Sequence, residues 1–143
     1  MNDLRMKYWE VSRNVLPGFL QVQKAIEEGP LDKTLLQFVY QRVSLINGCA
    51  FCLAKHAKEL REAGESNERI DALAGWRASH LYSPRERVAF AWVDTVTRIE
   101  ESAAPDAIFD ALNAHFDSRE IVDLTMAIAV MNAMNRIAIG MRQ

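Results

Sequence analysis

Both cysteines of the 143-residue chain lie within one short segment, residues 47–56, and a histidine closes it. Cys49 and Cys52 are three residues apart, and His56 follows four residues after the second cysteine. On an α-helix, positions i, i+3 and i+7 project from one face. The spacing therefore predicts two thiols and an imidazole along one stripe, an arrangement suited to thiol chemistry.

A reactive cysteine works as a thiolate, so its pKa must fall below the ordinary value of about 8.5. The segment offers two ways to lower it. The cysteines stand at a predicted helix start, where free backbone N–H groups favour negative charge, and His56 lies one turn after Cys52, where it can take the thiol proton. A peroxide would oxidise one thiolate to a sulfenic acid, and the other thiol would then close a disulfide.

Other interpretations of the same residues stay open at this point. Two buried cysteines can pack as small inert hydrophobic side chains. A structural zinc site would need a fourth ligand, and the other histidines, His80 and His115, are isolated in the sequence. His56 by itself is typical of an ordinary, partly buried histidine, and its spacing from the cysteines is what favours a role in chemistry.

The amino-acid composition and net charge exclude some classes of protein. Half of the residues are hydrophobic, a quarter are charged, and the net charge is −2. We expect one globular domain over residues 1–143, with neither nucleic acid nor a membrane as partner. The N-terminus has no secretory signal pattern, and the longest apolar run, residues 126–131, is far shorter than the roughly 20 residues of a bilayer span. These features predict a cytoplasmic protein, in which a CxxC pair is redox-active or metal-binding more often than a permanent cross-link.

Helical periodicity recurs along the chain, glycine and proline are sparse, and no alternating strand pattern is present, which predicts an all-α fold. Gly48 is expected to end the helix before the cysteines, because glycine accepts a left-handed backbone. Ser83, Pro84 and Glu86 form a strong start signal, with a cap, a first-turn proline and a capping box. The predicted helices are about 2–15, 19–28, 32–47, 49–63, 66–74, 83–101, 105–115 and 118–142.

The last predicted helix is apolar almost all the way round, which is typical of a helix buried by its own core and by a second subunit. An oligomer is therefore expected. Asn132, Asn135 and Arg136 interrupt its apolar surface. We interpret them as hydrogen-bonding groups between helices or subunits, because buried polar groups need partners.

Residues 42–52, RVSLINGCAFC, followed by His56 and Gly64, closely resemble the core motif of the alkyl hydroperoxidase D (AhpD)-like proteins, in the carboxymuconolactone decarboxylase superfamily. The resemblance covers nearly the whole chain from about Leu31, with its core motif at about 31–64. It continues through Trp76, residues 83–87, Ala89, Ala91, Trp92, and residues 115–125 and 132–138.

The resemblance implies an all-α fold with a helical hairpin that carries the CxxC, assembled as a trimer or hexamer. It implies reduction of hydroperoxides by the cysteine pair alone, without a cofactor, and recycling by a dithiol or disulfide reductant. Carried over from the family scheme, Cys52 is peroxidatic, Cys49 is resolving and His56 is the proton relay. The helix dipole alone would favour Cys49 as the more acidic thiol; the resemblance and the proximity of His56 favour Cys52.

Two positions depart from the family pattern. The relay glutamate, twelve residues before the first cysteine, is Gln37 here, and an amide cannot exchange a proton as a carboxylate does. The histidine sometimes found between the two cysteines is Phe51. We therefore expect an incomplete relay in which His56 or a water acts alone, and modest peroxidase activity. The alternatives are a protein disulfide reductase, a redox-sensing oligomer and a decarboxylase-like member, although the last has no need of the CxxC.

The position of Gln37 generates a prediction. Gln37→Glu should raise peroxidase turnover, because it restores a carboxylate at the family's relay position. Steady-state hydroperoxide consumption by the two proteins measures the effect. An unchanged turnover in a folded variant would count against Gln37 occupying the relay position.

Overall fold

The computed structural model describes residues 3–143, and in that range the only regular structure is helical. This confirms the predicted all-α fold. One 3₁₀ turn, Leu73–Gly75, follows α5. The helices are α1 (Tyr8–Val11), α2 (Leu16–Glu27), α3 (Lys33–Asn47), α4 (Ala50–Glu62), α5 (Asn67–Ala72), α6 (Pro84–Thr97), α7 (Ile99–Ser102), α8 (Asp106–Leu112) and α9 (Ser118–Met141).

The predicted first helix, residues 2–15, is wrong in extent. Only Tyr8–Val11 is helical, and the proposed start at Asn2 lies outside the described residues. Pro17 does not separate two helices either: it lies in the first turn of α2, which begins at Leu16. Proline is tolerated there because its missing N–H would have had no partner in the helix. The segment before Leu16 buries no helical side chain, so nothing extends α1.

The predicted helix 83–101 is interrupted. α6 ends at Thr97, and Arg98 leaves the helical region with φ −104° and ψ 48°. The short α7 then ends at Ser102, and the next residue, Ala103, has a left-handed φ of 51°. Neither break coincides with glycine or proline, so periodicity gave no sign of it. The capping box of Ser83 and Glu86 is confirmed.

α3 lies at the centre of the bundle, in contact with α4, α6 and α9. Its buried side chains include Phe38, which packs edge-on against Tyr82 and Phe90. The predicted central position of the last helix is confirmed, because α9 packs against α2, α3 and α6. By length and composition, α9 is the one described helix apolar enough to cross a membrane, a test that core helices also pass.

A buried ion pair ties α3 to α6. Arg42 donates to both carboxylate oxygens of Asp94, at 2.7 and 3.0 Å, and the indole N–H of Trp76 donates to the same carboxylate at 3.3 Å. Arg77 donates to it from the surface. Burial alone would raise the pKa of Asp94, but the hydrogen bonds from Arg42 and Arg77 outweigh it and lower that pKa. The carboxylate is therefore ionised and fully partnered.

This pair leads to a stability prediction. Asp94→Asn should cost about 3–5 kcal/mol in the free energy of unfolding, because it leaves the buried Arg42 charge without its counter-ion. Since the folded pKa of Asp94 lies below the ordinary 3.8, its contribution is complete above pH 3.8 and is lost as the pH falls through the folded value. Urea unfolding at pH 7 and near pH 3 measures both effects.

The control is Glu62→Gln, which removes an exposed partner of Lys58 and should cost less than about 1 kcal/mol. Equal losses in the two variants would contradict the role assigned to the buried pair.

Candidate active site

The cysteines lie at the turn between α3 and α4. α3 ends at Asn47, and Gly48 takes the predicted left-handed conformation, with φ 69° and ψ 35°. Cys49 is the N-cap of α4 in an extended conformation, and its Sγ accepts the backbone N–H of Cys52 at 3.3 Å. The predicted start of this helix is thus one residue early, because Cys49 caps the helix rather than joining its first turn.

Cys49 and Cys52 form a disulfide with an S–S distance of 2.18 Å. The pair expected to serve in place of a cofactor is therefore placed to exchange between dithiol and disulfide. Both residues are buried, at 1% and 5% exposure. In residues 3–143, no group of three or more His, Cys, Asp or Glu side chains is placed to hold a metal ion.

An amide network holds the turn in place. Asn47 donates from Nδ2 to the Oδ1 atoms of Asn132 and Asn135, each at 3.0 Å, and Asn135 donates to Ser44 Oγ at 3.1 Å. Arg136 in turn donates to Asn132. The prediction that these polar groups of α9 bond between helices is confirmed for Asn132 and Asn135. Among residues 3–143, Arg136 bonds only within α9, to Asn132. The network fixes the residue that stands two positions before Cys49.

His56 is buried, with 2% of its surface exposed, and its Nδ1 faces two side-chain oxygens. Glu59 Oε2 lies 2.9 Å away and Gln37 Oε1 lies 3.2 Å away. Lys55 holds the other oxygen of Glu59. The sequence leaves His56 to act alone or with water, whereas the structure places a carboxylate beside it, one turn further along its own helix. Gln37 does lie beside His56, although it brings an amide rather than an acid.

The environment sets the charge of this group. Burial lowers the pKa of His56, and the hydrogen bond to Glu59 offsets only part of that effect. Burial alone would raise the pKa of Glu59, but hydrogen bonds from Lys55 and His56 outweigh it and lower the pKa. A neutral imidazole beside an ionised carboxylate follows near pH 7.

Tyr40 packs on the imidazole from α3, with ring centroids 5.4 Å apart. Its hydroxyl is buried and has no hydrogen-bond partner among residues 3–143. Burial raises the pKa of Tyr40, and the negative charges of Glu27 and Glu59 raise it further. Tyr40 therefore stays neutral and covers one face of the imidazole.

A cavity of about 440 Å³ opens onto Cys52 and His56. Cys49 does not line it; this residue borders a separate depression beside the end of α9. The predicted single stripe therefore holds for Cys52 and His56 only. No pattern in the sequence indicates the cavity walls, whose apolar residues come from α2, α4 and α9. The apolar lining residues are Leu16, Leu20, Phe51, Met131, Met134 and Ala138.

The chain resembles known proteins in sequence. The sequence model of the carboxymuconolactone decarboxylase family matches residues 15–95. The uncharacterised protein YdfG of Bacillus subtilis is 31% identical over 137 residues, which span 96% of this chain and 93% of YdfG.

Solved structures share the fold. ATU0492 of Agrobacterium tumefaciens, a protein of unknown function provisionally named as an antioxidant defence protein AhpD, is 38% identical, with a TM-score of 0.95. The match covers 99% of this chain and 97% of ATU0492. The debrominase Bmp8 is 17% identical, with a TM-score of 0.79 over 94% of this chain and 72% of its own, and it shares the fold alone.

Proposed function

Because the chain belongs to the carboxymuconolactone decarboxylase family, we propose that it is an AhpD-like peroxidase that reduces hydroperoxides through a Cys49–Cys52 dithiol and disulfide cycle. One observation carries the proposal. Cys52 and the buried base His56 line the same cavity, whereas Cys49, which is bonded to Cys52, does not line it. The fold alone would not support it, since one fold hosts many chemistries.

Cys52 is the thiol that meets the peroxide. His56 takes the Cys52 proton, and the thiolate attacks the outer oxygen of the hydroperoxide. The O–O bond breaks, the sulfur becomes a sulfenic acid, and the alkoxide leaves as an alcohol with the proton held by His56. The position of Cys52 in the cavity wall, which Cys49 does not share, supports this assignment.

Cys49 resolves the sulfenic acid. Its sulfur attacks the sulfur of Cys52, the S–S bond forms, and the hydroxyl leaves as water. The turn between α3 and α4 accommodates the product of this step, the Cys49–Cys52 disulfide. A dithiol then reduces the disulfide by two exchange steps and is itself oxidised. The sum is one hydroperoxide and one dithiol converted into an alcohol, water and a disulfide.

The low exposure of both sulfurs argues against the alternative in which another protein's disulfide is the substrate. Thiol–disulfide exchange requires the attacking sulfur to reach its target directly. A small hydroperoxide and a small dithiol can enter a cavity of about 440 Å³, whereas a folded protein cannot.

We also propose a homo-oligomer, a trimer or hexamer, in the cytoplasm. The outward face of α9 supports the assembly, since Val122 and Met126 lie one turn apart and remain more than half exposed. Together with Trp92 and Phe109 they line an apolar groove. Contiguous exposed apolar surface marks interaction sites in soluble proteins.

The peroxidase proposal is tested by stopped-flow kinetics. The reduced protein should consume cumene hydroperoxide far faster than a free thiol, and Cys52→Ser should abolish the reaction. Cys49→Ser should keep the first oxidation but stop at a sulfenic acid or beyond, which mass spectrometry detects on Cys52. In the parent protein, one equivalent of peroxide should remove two thiols and two hydrogens. A rate equal to that of a free thiol, unchanged by Cys52→Ser, would refute the peroxidase activity.

The oligomer is tested with Val122→Lys and Met126→Lys together. Placing two charges in the apolar groove should reduce the mass measured by light scattering after gel filtration. Glu62→Lys, which adds charge at an exposed site on α4, is the control and should leave the mass unchanged. A parent protein with the mass of a monomer would contradict the proposal.

A further inference from the structure

We propose that Glu59 is the positioning carboxylate of the site: it keeps the His56 proton on Nδ1, so that Nε2 is free to serve as the base for Cys52. The inference rests on the proposed function and deepens it, since it concerns how the same thiol is activated. The carboxylate beside His56 then comes from α4, at Glu59, rather than from position 37 on α3.

The proton position follows from the neighbours of Nδ1. Glu59 Oε2 at 2.9 Å is a carboxylate oxygen and Gln37 Oε1 at 3.2 Å is an amide oxygen, so neither can donate a hydrogen bond. Nδ1 must therefore carry the hydrogen and donate it. In the neutral ring this leaves the lone pair on Nε2.

Glu59 is held in place from its other side. Lys55 bonds Oε1, which leaves Oε2 for the imidazole. A carboxylate acceptor makes a stronger hydrogen bond than an amide does, so Glu59 rather than Gln37 dominates the position of the proton. Its charge also stabilises the imidazolium that forms when His56 takes the proton of Cys52. Gln37 is a second acceptor on the same N–H.

The other groups around His56 do not supply this charge. From α3 the site receives Tyr40, a neutral phenol, and from α2 it receives Lys24 and Glu27 across the cavity. Lys24 pairs with Glu28, and Glu27 accepts a hydrogen bond from Gln23. The α9 wall contributes only Met131, Met134 and Ala138, and the N-terminal segment contributes Tyr8. Glu59 is the carboxylate in contact with the ring.

The test measures the Cys52 thiol without any peroxide. In a Cys49→Ser background, Cys52 is the sole cysteine, so the rate of alkylation by iodoacetamide against pH reports its thiolate directly. Glu59→Gln should move the midpoint upward by about one pH unit and slow alkylation at pH 7 by about tenfold. Adding Gln37→Glu to Glu59→Gln should restore the midpoint, because the carboxylate returns to the same Nδ1.

Two further variants and a second measurement complete the design. Glu62→Gln removes the equivalent acid from the neighbouring Lys58 pair and should change nothing. Glu59→Asp, which keeps the charge on a shorter side chain, should give a smaller shift in the same direction and replaces the amide variant should that fail to fold. Nitrogen NMR of the His56 ring should show hydrogen on Nδ1 in the parent and a mixture of tautomers in Glu59→Gln.

An unchanged midpoint and tautomer in Glu59→Gln would overturn the inference. So would an equal shift in Glu62→Gln, or a failure of Gln37→Glu to restore the midpoint. A protein that does not react with peroxide, yet shows the expected alkylation shifts, would refute the peroxidase proposal and leave the assignment of Glu59 standing.

Discussion

The site depends on the hydrogen bonds that Asn47 donates to Asn132 and Asn135. They fix the end of α3 against α9, and only Gly48 separates that anchored end from Cys49. The left-handed backbone of Gly48 then aims the chain into α4. The backbone positions of the two cysteines are consequently set by the geometry of this turn and by three amides, of which Asn135 is fully buried.

The burial of His56 adds a second constraint. An imidazole removed from water must have its polar atoms satisfied, or it costs free energy. Here one helix supplies Glu59 and its neighbour supplies Gln37, while Tyr40 covers the ring face. The same contacts that satisfy the buried ring also decide which nitrogen is basic. The contacts that stabilise His56 in the fold are therefore the ones that prepare it to act as a base.

Local signals in the sequence predicted much of this architecture. The cap at Ser83 and the left-handed Gly48 mark helix ends through short-range interactions, and the structure has both. The break at Arg98 and the short α1 have no such local signal. α1 is short because none of its side chains is buried by the rest of the chain, and periodicity does not report such an absence of packing.

The site was predictable in part for the same reason. Cys52 and His56 share a face because their spacing is helical. Glu59 has a helical spacing from both His56 and Lys55, so its spacing alone does not indicate which of them it contacts. The sequence also cannot show that the His56 ring is buried and needs a second partner. The cavity could not be predicted from the sequence, because α2 and α9 come together over α4 only in the folded chain.

The reacting residues and some of the residues that line the cavity come from different parts of the chain. Cys49, Cys52 and His56 lie within residues 15–95, the part that matches the family, whereas Tyr8, Met131 and Met134 lie outside it. The reacting groups and part of the substrate envelope are thus encoded in different stretches of the chain. A substitution at Tyr8, Met131 or Met134 would therefore change the size or polarity of the chamber and leave the cysteine segment of the chain as it is.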